Sequence, residues 1–125
     1  AETFVLYLPE GQWHEMGLLL SSYLIKKNGH NYIYLGSSLP VESVVRMKRN
    51  ISFNYLVTTT NLFVSQKDMN NELQFLASKF SDKTIFVGIP GNEFDFSSLP
   101  SNIILMPNLE EFNGYLERLN GRVEY

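Results

Sequence analysis

The sequence predicts an α/β protein in which a five-stranded parallel sheet, with strand order 2-1-3-4-5, has helices on both of its faces. Short and almost continuous apolar runs are typical of strands buried on both faces, and five of them occur along the 125 residues. Segments with helical periodicity separate most of these runs. Strands that alternate with helices at this spacing imply right-handed crossovers and hence a parallel sheet. The predicted fold class is flavodoxin-like, or more broadly Rossmann-like.

The first strand and the first helix come at the start of the chain. Thr3–Leu8 is an almost unbroken apolar run, which predicts a buried strand. A leucine-rich helix is expected from about His14 to Lys27, because Asn28-Gly29 follows it as a helix stop. The second strand is expected at Asn31–Leu35 and should end at Gly36.

The middle of the chain repeats this pattern. Ser38 and Pro40 suit the cap and the first turn of a second helix, whose apolar face is Val41, Val44 and Val45. Phe53–Thr58 is expected to form the third strand. Ser65 should begin the third helix, in which the residues at helical spacing are Met69, Leu73, Leu76 and Phe80.

Two more strands and one more helix complete the predicted fold. Thr84–Val87 and Ile103–Met106 are short apolar runs and should form the fourth and fifth strands. Asn108, with Glu111 three residues later, resembles a capping box and predicts the start of the last helix. The buried stripe of this helix is Leu109, Phe112, Leu116 and Leu119.

The composition excludes several classes of function. A net charge of −3 argues against a nucleic-acid-binding surface on this chain. The absence of cysteine excludes a disulfide scaffold and thiol chemistry, and it fits a reducing cytoplasm. No apolar run approaches the roughly 18 residues of a membrane span, so no membrane association is expected. Residues 1–125 are interpreted as one domain of a longer protein, because the chain begins almost directly on a strand.

The segments after the strands argue against other uses of this fold, whose ligands bind outside the carboxyl ends of the strands. A phosphoacceptor domain would need a carboxylate at the end of the third strand, where three threonines stand. The segment 10–13 has neither the hydroxyls of a flavin-phosphate loop nor the glycines of a dinucleotide motif. There is no serine-nucleophile elbow, and the only histidine besides His14 starts the second strand. We therefore do not expect a self-contained hydrolase or metalloenzyme, and the domain is interpreted as one that is not itself an enzyme.

Three segments should instead converge on one edge of the sheet. Gln12-Trp13-His14 follows the first strand, and Gly17 lies one helical turn after His14. Thr58-Thr59-Thr60 ends the third strand. A glycine-containing turn, with Gly88-Ile89 and then Gly91, follows the fourth. We take these residues as the candidate ligand-binding site.

The spacing x-x-His-x-x-Gly in Gln12–Gly17 resembles the Asp-x-His-x-x-Gly signature of cobalamin-binding domains. The longer segments Leu8–Leu20, Tyr34-Leu35-Gly36 and Leu39–Glu42 look like the cobalamin-binding domains of MerR-family transcription regulators, which include light-sensing repressors. The resemblance covers nearly the whole chain.

The resemblance implies cobalamin as the cofactor, in its adenosyl or methyl form, with His14 as the lower axial ligand to cobalt. Gln12 would orient the imidazole. The hydroxyl of Thr59 would contact the nucleotide tail of the cofactor, and the turn from Gly88 to Gly91 would line its pocket. Trp13 would contact the cofactor or a neighbouring domain.

The chain departs from the family signature at three positions. Gln12 replaces the acidic partner of the histidine and adds no charge, Thr59 replaces serine, and Ile89 replaces a second glycine and would narrow the tail channel. The regulator hypothesis implies a homo-oligomer that reaches DNA only through a separate upstream domain. Two alternatives stay open: a cofactor-free oligomerisation or interaction module, and a corrinoid carrier domain of a methyltransferase or mutase.

Overall fold

A computed structural model describes residues 2–9, 15–59, 65–88 and 99–120. The strands are β1 (Thr3–Pro9), β2 (Asn31–Leu39), β3 (Tyr55–Thr59), β4 (Thr84–Gly88) and β5 (Ile103–Met106). The helices in the described part are α1 (Met16–Lys27), α2 (Val41–Met47), α3 (Gln66–Lys79) and α4 (Leu109–Leu119).

The five strands form one parallel sheet in the order β2-β1-β3-β4-β5. This confirms the predicted fold class, strand order and direction. The parallel arrangement brings the carboxyl ends of all five strands to one edge, and the reversal of strand order lies between β1 and β3. In this fold class that edge is where ligands bind.

Helices cover both faces of the sheet, as predicted. On one face Val5, Leu56 and Ile85 pack against side chains of α2 and α3, which include Val44 and Met69. On the other face, the buried side chains contributed by the sheet, α1 and α4 are Phe4, Leu6, Leu8, Val57, Phe86, Leu18, Ile25, Phe112 and Leu116. We call these the α2/α3 face and the α1/α4 face. No described helix is long and apolar enough to cross a membrane.

Two of the predicted helix caps are present. The Ser65 hydroxyl accepts a hydrogen bond from the Asp68 amide at 3.1 Å. The Asn108 side chain accepts one from the Glu111 amide at 2.9 Å. Each satisfies an amide that has no partner within the first turn of its helix.

The predicted end of the second strand is wrong, as is the cap of the helix after it. β2 runs past Gly36 to Leu39, because Gly36 and Ser38 adopt positive φ angles of 113° and 54° and the strand bulges instead of ending. The pairing with β1 shifts register at these bulges and then resumes at Pro9 and Leu39. Pro40, rather than Ser38, is the N-cap of α2.

Candidate functional site

The described ends of β3, β4 and β5 lie side by side at the carboxyl edge. In the sheet register Thr59 is opposite Gly88, and Gly88 is opposite Met106. The sequence therefore predicted correctly that the end of the third strand meets the glycine of the fourth, since Thr59 is the last residue of β3 and Gly88 the last residue of β4. Their role in binding stays a prediction.

The threonines at the end of β3 do not share a face of the sheet. Leu56 packs on the α2/α3 face and Val57 on the α1/α4 face. Because side chains alternate along a strand, Thr58 faces α2 and α3 whereas Thr59 faces α1 and α4. The three threonines were expected at one site, but Thr58 lies on the opposite face from Thr59. Thr60 is outside the described residues.

Gly88 keeps a space open beside Thr59. A Cβ atom placed on Gly88 would lie 3.4 Å from Cγ2 of Thr59, so both positions face the α1/α4 layer. A methyl group would fit there in ordinary contact, but a longer side chain would fill the space. Gly17, in the first turn of α1, differs from Gly88 because a Cβ placed on it would have no atom within 4 Å. Two glycines therefore leave backbone accessible at this edge.

An open cleft of about 580 Å³ adjoins this edge between β5 and α4. Its lining includes Met106, the register partner of Gly88, and Gly114 in the middle of α4. Tyr115 also lines the cleft and stacks edge-on against Phe86 at 4.8 Å between ring centroids. The cleft thus meets the carboxyl edge at Met106, whereas neither Thr59 nor Gly88 lines it.

A hydrogen bond that the sequence did not predict fixes the start of α1. The hydroxyl of Tyr34 on β2 donates to a carboxylate oxygen of Glu15, the N-cap residue, at 2.5 Å. Burial, with this carboxylate beside the hydroxyl, raises the pKa of Tyr34 to about 12. Glu15 follows His14 directly, so the contact anchors the chain next to the candidate cobalt ligand. The two residues are 19 positions apart, and no local pattern connects them.

A second polar group lies on the α2/α3 face. Tyr7 is buried, and desolvation raises its pKa to about 12 although the nearby Thr58 hydroxyl acts to lower it. That contact is loose, since Oγ1 of Thr58 forms no hydrogen bond of full geometry with a described atom. Glu72 on α3 lies near enough to Tyr7 to affect its pKa, and partial burial raises the pKa of Glu72 itself.

Several predicted site residues lie outside the described part of the chain. They are Gln12, Trp13, His14, Thr60, Ile89 and Gly91. Their predicted roles, including cobalt ligation by His14, stay predictions. Among the described residues, no three or more histidine and carboxylate side chains group together as a metal site would require.

The described residues fit a cofactor that passes close to backbone at the carboxyl edge. Gly88 and Gly17 offer two positions without side chains, and the side chain of Thr59 lies beside Gly88 with its methyl group nearest. The open cleft between β5 and α4 has a volume of about 580 Å³, which is within the usual range of ligand pockets.

Comparisons with known proteins identify the fold but no sequence family. No protein-family model and no curated protein matches the chain. Several solved structures do match the chain, and three of them carry names that identify cobalamin or corrinoid proteins.

The chain is similar to a cobalamin-binding protein from Desulfitobacterium hafniense, with a TM-score of 0.69 and 16% identity over 94% of this chain and 58% of that one. It is similar to the methanol:cobalamin methyltransferase complex of Methanosarcina barkeri, with a TM-score of 0.75 and 18% identity over 98% and 47%. A monomethylamine corrinoid protein of the same organism gives a TM-score of 0.71 and 16% identity over 94% and 57%.

The chain therefore has the fold found in these cobalamin and corrinoid proteins. It spans roughly half the length of each matched chain. At this level of identity the similarity is one of fold, and binding has to be argued from the site.

Proposed function

We propose that this chain is a cobalamin-binding domain that holds the cofactor at the carboxyl edge of its sheet. The observation that carries the proposal is the pairing of Thr59 with Gly88 on the α1/α4 face, in a fold shared with cobalamin proteins. Gly88 lets a nucleotide tail pass close to the backbone, with the methyl group of Thr59 beside this position. The Thr59 hydroxyl belongs to the same side chain on the same face and would hydrogen-bond the tail.

Each residue of the proposed site has a separate task. His14 would ligate cobalt through Nε2, and the carbonyl oxygen of Gln12 would accept a hydrogen bond from the other ring nitrogen. Glu15, held by Tyr34, would fix the position of the chain directly after His14. The hydroxyl of Thr59 would donate a hydrogen bond to the nucleotide tail of the cofactor. If bound in its adenosyl or methyl form, the cofactor would supply a cobalt–carbon bond that light or a methyl acceptor can break.

Within this class we propose a regulatory domain rather than an enzyme. The support is the sequence resemblance to MerR-family regulators, which runs through Leu8–Leu20 and Leu39–Glu42. In such a cytoplasmic protein, cofactor binding would change the association of identical subunits, and a separate upstream domain would bind DNA.

A corrinoid carrier domain is the second candidate function. The solved structures favour it, because two of the three are a methyltransferase complex and a monomethylamine corrinoid protein. A carrier would bind a methyltransferase partner, whereas a regulator would be preceded by a helix-turn-helix. The sequence of the complete gene product distinguishes these two candidates.

Titration with hydroxocobalamin and adenosylcobalamin in the dark, followed by absorbance and calorimetry, tests cofactor binding. We expect micromolar or tighter binding with the spectrum of a histidine-ligated corrinoid. The His14→Ala variant should fold but lose that spectrum. If the wild-type chain binds neither form, the cofactor-free interaction module replaces this proposal. If His14→Ala keeps the wild-type spectrum, the assignment of the ligand is wrong.

A further inference from the structure

Helix α1 has apolar side chains on its outer face as well as on its inner face. Leu18 and Ile25 are buried against the sheet and α4. On the opposite side, four large apolar side chains are exposed: Met16 by 70%, Leu19 by 50%, Leu20 by 43% and Tyr23 by 62%. We call these four residues the outer stripe. A helix that is apolar all round is normally buried between two layers.

The outer stripe has the spacing of a helix-packing seam. Its positions are i, i+3, i+4 and i+7, so they form one band about 10 Å long on the helix surface. Tyr32, on edge strand β2, is also exposed and adds aromatic surface to the α1/α4 side of the domain. Exposed apolar patches of this kind mark interaction sites.

We propose that the outer stripe is a self-association surface on which α1 packs antiparallel against α1 of a second copy. The stripe is self-complementary about its centre. A two-fold axis between Leu19 and Leu20 places these leucines against their counterparts. It also places Tyr23 against the partner's Met16, where a sulfur–aromatic contact is favourable. A closed two-fold pair buries the same patch on both copies.

The charges at the two ends of α1 select the antiparallel orientation. Glu15 precedes the helix, and its last turn contains Lys26 and Lys27. In an antiparallel pair the lysines of each copy lie towards the glutamate of the other, and the helix dipoles also oppose one another. A parallel pair would bring like charges together at both ends. The charge distribution thus favours a second copy in this one orientation.

The size of the stripe predicts a weak dimer. Four exposed side chains supply a few hundred Å² per copy, in comparison with about 800 Å² per partner in a standard stable interface. We therefore expect a dimer that dissociates on dilution. The surface includes neither Thr59 nor Gly88, and its association is expected in the absence of cobalamin, so failure of the cofactor proposal leaves it intact.

Sedimentation equilibrium of the cofactor-free chain over a wide concentration range tests the proposal. The mean mass should rise from monomer towards dimer as concentration increases. Leu20→Glu places carboxylates near the two-fold axis and should weaken association about tenfold or more. Phe75→Glu is the matched control, because Phe75 is 42% exposed on α3 and lies outside the stripe. It should leave the association constant unchanged, and urea unfolding should show that both variants are folded.

Oxidative cross-linking provides a second and independent test, since the chain contains no cysteine. Leu20→Cys should form an intermolecular disulfide rapidly, whereas Phe75→Cys should not. A wild-type chain that stays monomeric at every concentration would overturn the proposal and would assign the stripe to a different partner. The proposal would also be overturned if Leu20→Glu left the dimer as intact as the control Phe75→Glu does and Leu20→Cys cross-linked slowly.

Discussion

Replacement of Thr58 by valine should stabilise the fold. The Thr58 side chain is only 3% exposed. Its hydroxyl has no hydrogen-bond partner among the described atoms. A buried polar group without a partner costs about 1–3 kcal/mol, and the methyl group that replaces it contributes up to about 0.8 kcal/mol when buried. Loss of the loose contact with Tyr7 opposes this gain. We expect the free energy of unfolding to rise by about 1 kcal/mol or more.

Urea unfolding of three proteins measures this effect. Valine has nearly the shape of threonine, so Thr58→Val should shift the midpoint upward without changing the dependence on urea. Thr58→Ser is the matched control: it keeps the hydroxyl, loses the methyl group and should destabilise the protein by about 1 kcal/mol. If Thr58→Val instead lowers the free energy of unfolding by about 1 kcal/mol, the hydroxyl has a firm partner and the reasoning fails.

Three further predictions concern two buried ionisable side chains and one glycine within a helix. Burial raises the pKa of Glu72, so the ionised carboxylate destabilises the folded state once the pH exceeds the pKa of Glu72 in the unfolded chain. Glu72→Gln should therefore raise the free energy of unfolding at pH 7 but not at pH 3, as measured by urea unfolding. Tyr7 has a pKa of about 12 in the folded protein, whereas in the unfolded chain it ionises near pH 10. The free energy of unfolding should therefore fall as the pH rises above about 10. Tyr7→Phe should reduce this fall by up to about 3 kcal/mol. Gly114 lies within α4, where an added Cβ would contact only the guanidinium group of Arg118, at 3.4 Å. Gly114→Ala should therefore raise the thermal midpoint, because alanine favours the helix by about 0.5–1 kcal/mol relative to glycine. An unchanged or lower midpoint would contradict this.

The sheet was predictable because its signals are local and repeated. Apolar runs marked all five strands, and the capping residues Ser65 and Asn108 marked two helix starts. Gly36 was misleading, because glycine at a bulge and glycine at a strand end look the same in a sequence. Only the pairing with β1 decides between them.

The candidate site was predictable at the level of strand ends but not of faces. Threonines 58 and 59 are adjacent in sequence, yet the packing of Leu56 and Val57 on different layers assigns them to opposite sides of the sheet. The contact of Tyr34 with Glu15 joins β2 to α1 over a distance in sequence that no motif spans. The outer stripe of α1 was hidden too, since a leucine-rich helix does not reveal which leucines are covered.

The central claim, that cobalamin binds beside Thr59 on the α1/α4 face, is tested most directly at Gly88. Gly88→Ala adds one methyl group in ordinary contact with Thr59, so its free energy of unfolding should stay within about 1 kcal/mol of wild type. The added methyl group narrows the space proposed for the cofactor tail. Parallel hydroxocobalamin titrations of both proteins should therefore show tight binding by the wild type and an affinity that is lower by about tenfold or more in the variant. Equal affinities for the two folded proteins would contradict the proposed site.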